Sequence, residues 1–103
     1  MTDTPDMFNG DPKMQAVRLG IETLHFVERE PVGKYLVERA HMDRIEALEA
    51  LAEANPEDTK LIRKLQNDSK VTALFLRWLD EAIEAGQVAE QNIAMEDAAN
   101  KEI

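Results

Sequence analysis

Apolar positions fall on helical spacings along almost the whole chain. Between Asn55 and Gly86, Ile62, Leu65, Ser69, Thr72, Leu76, Leu79 and Ile83 recur at alternating steps of three and four. Such steps place these side chains on one helical seam. Asn55 stands where an N-cap would accept from free backbone amides, Pro56 where the first helical residue needs no donor, and Gly86 where a left-handed residue would end the helix. Glu57 and Asp58 face the positive end of the helix dipole. The pattern predicts a helix of about 30 residues, roughly 45 Å long.

Two helices are expected ahead of it. Asp11 and Pro12 open one that runs to about Arg29, with Met14, Val17, Ile21 and Leu24 inward, widened by Ala16, Leu19 and Val27. Glu30-Pro31 interrupts it, because proline disfavours helical geometry in the preceding residue. Pro31 opens a second helix, carried to Ala54, with Val32, Tyr35, Leu36, Ala40, Leu48 and Leu51 inward and Gly33 costing a little stability. The short Asn55-Pro56 connection makes the second and third helices an antiparallel hairpin. Counting from that turn sets Leu48 near Leu65 and Leu36 near Phe75. Counting from Pro31 folds the first helix back beside the second, with Leu24 level with Val37.

The expected core centres on Phe75 and Trp78, where helix three is most apolar. The stretch from Lys60 to Lys70 reads as a charged finger supported by Ala50, Ala52 and Ala54. After Gly86, the segment through Val88, Ile93 and Met95 predicts a short further helix of undetermined direction. The fold class is thus all-α: a hairpin of two long helices, a third N-terminal helix packed on it, and a short C-terminal helix. The organisation is a flexible arm over residues 1–10, with Met7 and Phe8 as its only anchors, a bundle over 11–86 and an acidic segment over 87–103.

Composition narrows the class. The 103 residues contain no cysteine, which removes disulfides and thiolate metal sites. The β-branched and aromatic runs of strands are missing. No apolar run approaches the roughly 20 residues of a membrane span, and the acidic N-terminus is unlike a signal peptide. A cytoplasmic setting, or that of something infecting a cell, is the expectation. The net charge of −9 disfavours direct nucleic-acid binding. Residues 1–79 hold 14 acids and 11 bases, whereas 80–103 hold 7 acids and Lys101 alone. That end reads as solubilising surface, or as an acidic face aimed at a basic partner.

Candidate chemistry is thin. Glu22-Thr-Leu-His25 and Glu38-Arg-Ala-His41 repeat the Glu-x-x-His step of di-iron bundles, and imidazole with carboxylate suits iron, manganese or zinc. Against this, Glu22 and His25 share a polar stripe with Arg18 and Arg29. Arg18–Glu22 and Lys34–Glu38 ion pairs account for both carboxylates, and the facing stripe of helix three is apolar. Surface histidines are the preferred reading, with no metal and no cofactor. Neither a nucleophile arrangement nor a phosphate loop is present, so no enzyme is expected. Both helices around Asn55-Pro56 are too long for a helix-turn-helix. The residues singled out for protein contact are Lys60, Arg63, Lys64 and Lys70 on the finger, and Asp80, Glu81 and Glu84 beyond it.

Gly33-Lys34-Tyr35-Leu36, Arg39-Ala40, Asn55-Pro56-Glu57-Asp58, Ile62, Leu65-Gln66, Trp78-Leu79, Ala82-Ile83 and Gly86 together carry a resemblance across residues 32–91. The stretch resembles a group of small helical proteins of tailed bacteriophages and prophages. The resemblance implies a phage setting, among virion-assembly or DNA-packaging components, in the host cytoplasm or on the virion, and carries no functional residue with it. The leading expectation is an assembly protein that binds protein, its own copies included, with no membrane and no nucleic acid. An acidic inhibitor that mimics nucleic acid is the alternative, and a metal-binding bundle the minor one.

Overall fold

The computed structural model describes residues 11–101, and every element among them is helical: α1 (Pro12–Arg29), α2 (Pro31–Glu53) and α3 (Thr59–Lys101). The arm read over residues 1–10 lies outside the described residues. α1 starts as expected. The Asp11 carboxylate accepts from the Lys13 amide at 3.1 Å and Pro12 takes the first position. Its end is also where proline chemistry puts it: Glu30, held by Pro31 at ψ 132°, leaves the helix. The Glu30 amide then donates to the His25 carbonyl at 3.3 Å, and Pro31 opens α2.

The start of α3 differs from the sequence reading. Asn55 and Pro56 form a turn, not a cap. The Asn55 side-chain oxygen accepts from the Glu57 amide at 3.0 Å, and its carbonyl from the Asp58 amide at 2.9 Å. Asp58 caps the helix, its carboxylate taking the Leu61 amide at 3.2 Å and its carbonyl the Ile62 amide at 3.1 Å. Asn and Asp compete for one role here, and the residue immediately ahead of the first turn wins.

The larger correction is at Gly86. It does not stop the helix: α3 continues to Lys101, 43 residues in all. No separate helix follows among the described residues. At 1.5 Å per residue α3 is about 64 Å long, which sets the 68 Å longest dimension of the molecule. The expected seam is correct and simply goes on. Ile62, Leu65, Ser69, Thr72, Leu76, Leu79 and Ile83 are all half-buried, Gly86 and Ala89 are buried, and Ile93 is half-buried. The strict alternation of three and four from Ile62 to Gly86 is the 3.5-residue repeat of left-handed coiled coils.

α1 does not fold back along α2. Its main neighbour is the second half of α3. Lys13 pairs with Glu96, Gly20 sits on Gly86, and Val17 and Leu24 share a groove with Ile83 and Glu90. α2 packs on the first half, where Asp43, Ala47 and Ala50 share a groove with Leu65, Asp68 and Thr72. α3 is therefore a strut with α2 and α1 laid along successive stretches. The break at Glu30–Pro31 joins them, and Gly33 is its tight point. A Cβ on Gly33 would stand 1.8 Å from the Phe26 carbonyl oxygen. Gly33 is a steric requirement of the joint, where the sequence suggests only a small stability cost.

Candidate functional site

The side chains that face inward are small. Among the described residues those that are buried are Gly20, Gly33, Ala40, Ala47, Gly86 and Ala89. No large side chain among the described residues is fully buried. The reason is geometric: helices that meet on glycine and alanine approach closely, and larger residues are displaced to flanking and outer positions.

The inward sets read from sequence for α1 and α2 are accordingly corrected. On α1, Val17 and Leu24 are half-buried, but Met14, Leu19 and Ile21 are exposed, Ile21 at 59%. On α2, Ala40 and Leu51 face in. Val32 (62% exposed), Tyr35, Leu36 and Leu48 face out, joined by Met42 and Ile45. The face that packs carries Gly33, Val37, Ala40, Ala47, Leu51 and Ala54, again at steps of three, four and seven. Apolar bulk marks the outer side of α2, and heptad spacing of small residues marks the packed one.

On α3 the same inversion makes a surface. Phe75 is half-buried, but Trp78, read as core, is 60% exposed. With it are Val71, Leu74, Val88 and Met95, all exposed. Filled in with Glu81, Ala85 and Asn92, these positions step by three and four from 71 to 95. At 100° per residue the stripe lies about 160° round the helix from the seam. α3 is apolar on two opposite faces, and only one is covered by α1 and α2. Contiguous exposed apolar surface beyond a few hundred Å² is uncommon on free monomers.

Of the charged candidates, Glu81 stands within the outer stripe, Lys60 and Lys64 on its continuation toward the start of α3, and the others to the side. Lys60, Arg63, Lys64, Lys70, Asp80, Glu81 and Glu84 are all exposed. Two take part in i, i+4 pairs, Lys64 with Asp68 at 2.9 Å and Arg77 with Glu81 at 3.6 Å. On α2, Arg39 donates to Asp43 at 3.1 Å and to the Tyr35 hydroxyl at 3.2 Å. The tyrosine hydroxyl first and the aspartate second hold the guanidinium pKa above its usual value. The Arg18–Glu22 and Lys34–Glu38 pairs expected from spacing are not among the ion pairs formed by the described residues.

The Glu-x-x-His steps stay apart as chemistry. His25 lies 3.7 Å from Glu30. Among the described residues, no three His, Asp or Glu side chains converge as a metal would need, so Glu22, His25, Glu38 and His41 form no joint site. The surface grooves among the described residues are open: those beside Ala47 and Ile83 lie between two helices, and the one along Met14, Val17 and Ile21 lies on α1 alone. No helix among the described residues is long and apolar enough to cross a membrane. No protein-family model, curated protein or solved structure matches the chain.

Proposed function

We propose that this protein is a non-enzymatic assembly module, in which an antiparallel α2–α3 hairpin braced by α1 presents apolar outer faces to another protein chain. The observation that carries it is the inversion of residue sizes. Glycine and alanine fill the inside, while Trp78, Val71, Val88, Val32 and Ile45 face water. Leaving such side chains exposed forgoes roughly 1.5–3 kcal/mol each, an arrangement that makes sense when a partner covers them. The resemblance of residues 32–91 to small phage and prophage proteins sets the context: a virion-assembly or packaging accessory, working in the bacterial cytoplasm or on the virion.

The acidic-mimic reading draws less support. A mimic needs carboxylates in rows at phosphate spacing on one face. Asp80, Glu81, Glu84, Glu90, Glu96 and Asp97 are instead distributed round α3, with the apolar stripe between them.

The test combines sedimentation velocity with the emission of Trp78, the single tryptophan of the chain. An assembly module gives concentration-dependent association, or else a monomer with red-shifted emission that binds a hydrophobic dye. A strict monomer at high micromolar concentration with blue-shifted tryptophan and no dye binding removes the reading.

A further inference from the structure

The outer stripe of α3 and the charges beside it point to a specific partner. We propose that the stripe Val71, Leu74, Trp78, Ala85, Val88 is the self-association face of this protein, and that it pairs with α3 of a second copy running in the opposite direction. This rests on the assembly reading and names its partner.

Charge complementarity within α3 itself favours a second copy. From Lys60 to Arg77 the helix carries Lys60, Arg63, Lys64, Lys70 and Arg77 against Asp68 alone. From Asp80 to Lys101 it carries six acids against Lys101 alone. Two parallel copies would lay like charge on like charge. Two antiparallel copies lay the basic half of each on the acidic half of the other.

The heptad arithmetic selects one register. With Val71, Trp78 and Ala85 as the first core positions of each repeat and Leu74, Glu81 and Val88 as the second, antiparallel helices stack first positions on second ones. One alignment opposes Val71 with Val88, Leu74 with Ala85 and Trp78 with Glu81 of the other copy, each layer occurring twice. The flanking positions immediately ahead of each first core residue are Lys70, Arg77 and Glu84. In this alignment Arg77 meets Glu84 of the second copy, also twice. Sliding by one heptad either way sets Glu84 against Glu84 or Arg77 against Arg77. Glu81, the one charge inside the stripe, already leans on Arg77 at 3.6 Å. Across the interface it faces the indole N–H, a donor that a buried tryptophan needs to satisfy. The paired length, from residue 71 to 88, is about 26 Å of helix on each copy.

The test is a charge swap read by sedimentation equilibrium on the full chain, with circular dichroism as the folding control. Wild type dimerises, and its tryptophan emission shifts to the blue as concentration rises. Arg77→Glu alone and Glu84→Arg alone each place like charges at both flanking contacts, and each weakens dimerisation at least tenfold. Mixed one to one, the two variants restore it, because each supplies the sign the other lacks. Wild-type dimers that neither variant weakens, or variants that stay monomeric when mixed, overturn the proposal while leaving the assembly reading intact. A wild-type monomer that binds a hydrophobic dye likewise overturns self-association and leaves the outer face for a different partner. A wild-type monomer with blue-shifted tryptophan and no dye binding removes both.

Discussion

Gly20 of α1 and Gly86 of α3 meet backbone to backbone. A Cβ added to Gly20 would stand 2.9 Å from the Gly86 Cα and 3.0 Å from the Ala82 carbonyl oxygen. One added to Gly86 would stand 2.9 Å from the Ala16 carbonyl oxygen. In an isolated helix Gly→Ala is favourable by about 1 kcal/mol. Here the neighbouring atoms are backbone and cannot rotate away, so the helices must separate, at a cost of about 1–3 kcal/mol. Gly20→Ala and Gly86→Ala are therefore both expected to lower the urea midpoint, and the double variant to cost less than the two single losses added. A higher midpoint for either variant would show that α1 and α3 do not touch there.

The joint between α1 and α2 predicts a larger effect. At Gly33 the obstructing atom is the Phe26 carbonyl oxygen, 1.8 Å from where a Cβ would stand. No side-chain rearrangement relieves that overlap. Gly33→Ala is expected to destabilise by about 3 kcal/mol or more, in the range reserved for backbone strain and core disruption. Equilibrium unfolding measures it. A loss under half that size would mean the Glu30–Pro31 break can open at little cost.

These glycines mark where the sequence was readable and where it was not. Local chemistry carried the start of α1 at Asp11-Pro12, the break at Pro31 and the whole α3 seam from Ile62 to Ile83, because caps, prolines and periodicity act within a few residues. What failed was the choice of face and of end. Gly86 has the residue type of a helix stop, yet it occupies the next position of the seam, three residues past Ile83. Continuing the three-four count to Ile93 would have kept α3 whole. On α2 and α1, apolar bulk pointed outward because close helix packing rewards small residues. Trp78 lies outside for the same reason, as part of the outer stripe. In the sequence, Glu81 and Glu84 read as part of the acidic end that starts at Asp80. Their setting at an apolar face depends on the outward position of Trp78, which residue type alone does not reveal.

That inversion is testable on one pair of neighbours. Ala47 is 6% exposed on the packed face of α2, and Leu48 is 42% exposed beside it. Ala47→Leu is expected to cost about 1–3 kcal/mol through overpacking. Leu48→Ala should cost under about 1 kcal/mol, since alanine restores helix propensity. Bulk hydrophobicity would predict the opposite order, so thermal melts of the two variants decide between the faces.

The cap of α3 separates two residues that look alike in sequence. Asp58→Ala removes the acceptor of the Leu61 amide and is expected to cost about 1 kcal/mol, the usual value of an N-cap. Asn55→Ala removes the acceptor of the Glu57 amide within the turn, not an orphan donor of the helix. It should cost less. If Asn55 proves the costlier substitution, the helix starts at Pro56 after all.

The pair Lys13–Glu96 ties the first turn of α1 to the far end of α3, 83 residues away in sequence. Its hydrogen bond to the Glu96 carboxylate, with smaller help from the nearby charge, raises the lysine pKa above 10.5. A raised pKa means that the folded state binds the proton more tightly than the unfolded one. The stability this adds is complete below pH 10.5 and disappears as pH climbs through the raised value. Both side chains are well exposed, so the contribution is small and screened by salt. Lys13→Met should lower the melting temperature slightly at pH 8 and low ionic strength. The gap to wild type should close both in 1 M salt and above the raised pKa. A gap that persists under both conditions would assign the loss to the packing of the lysine stem against α3 and not to the ion pair.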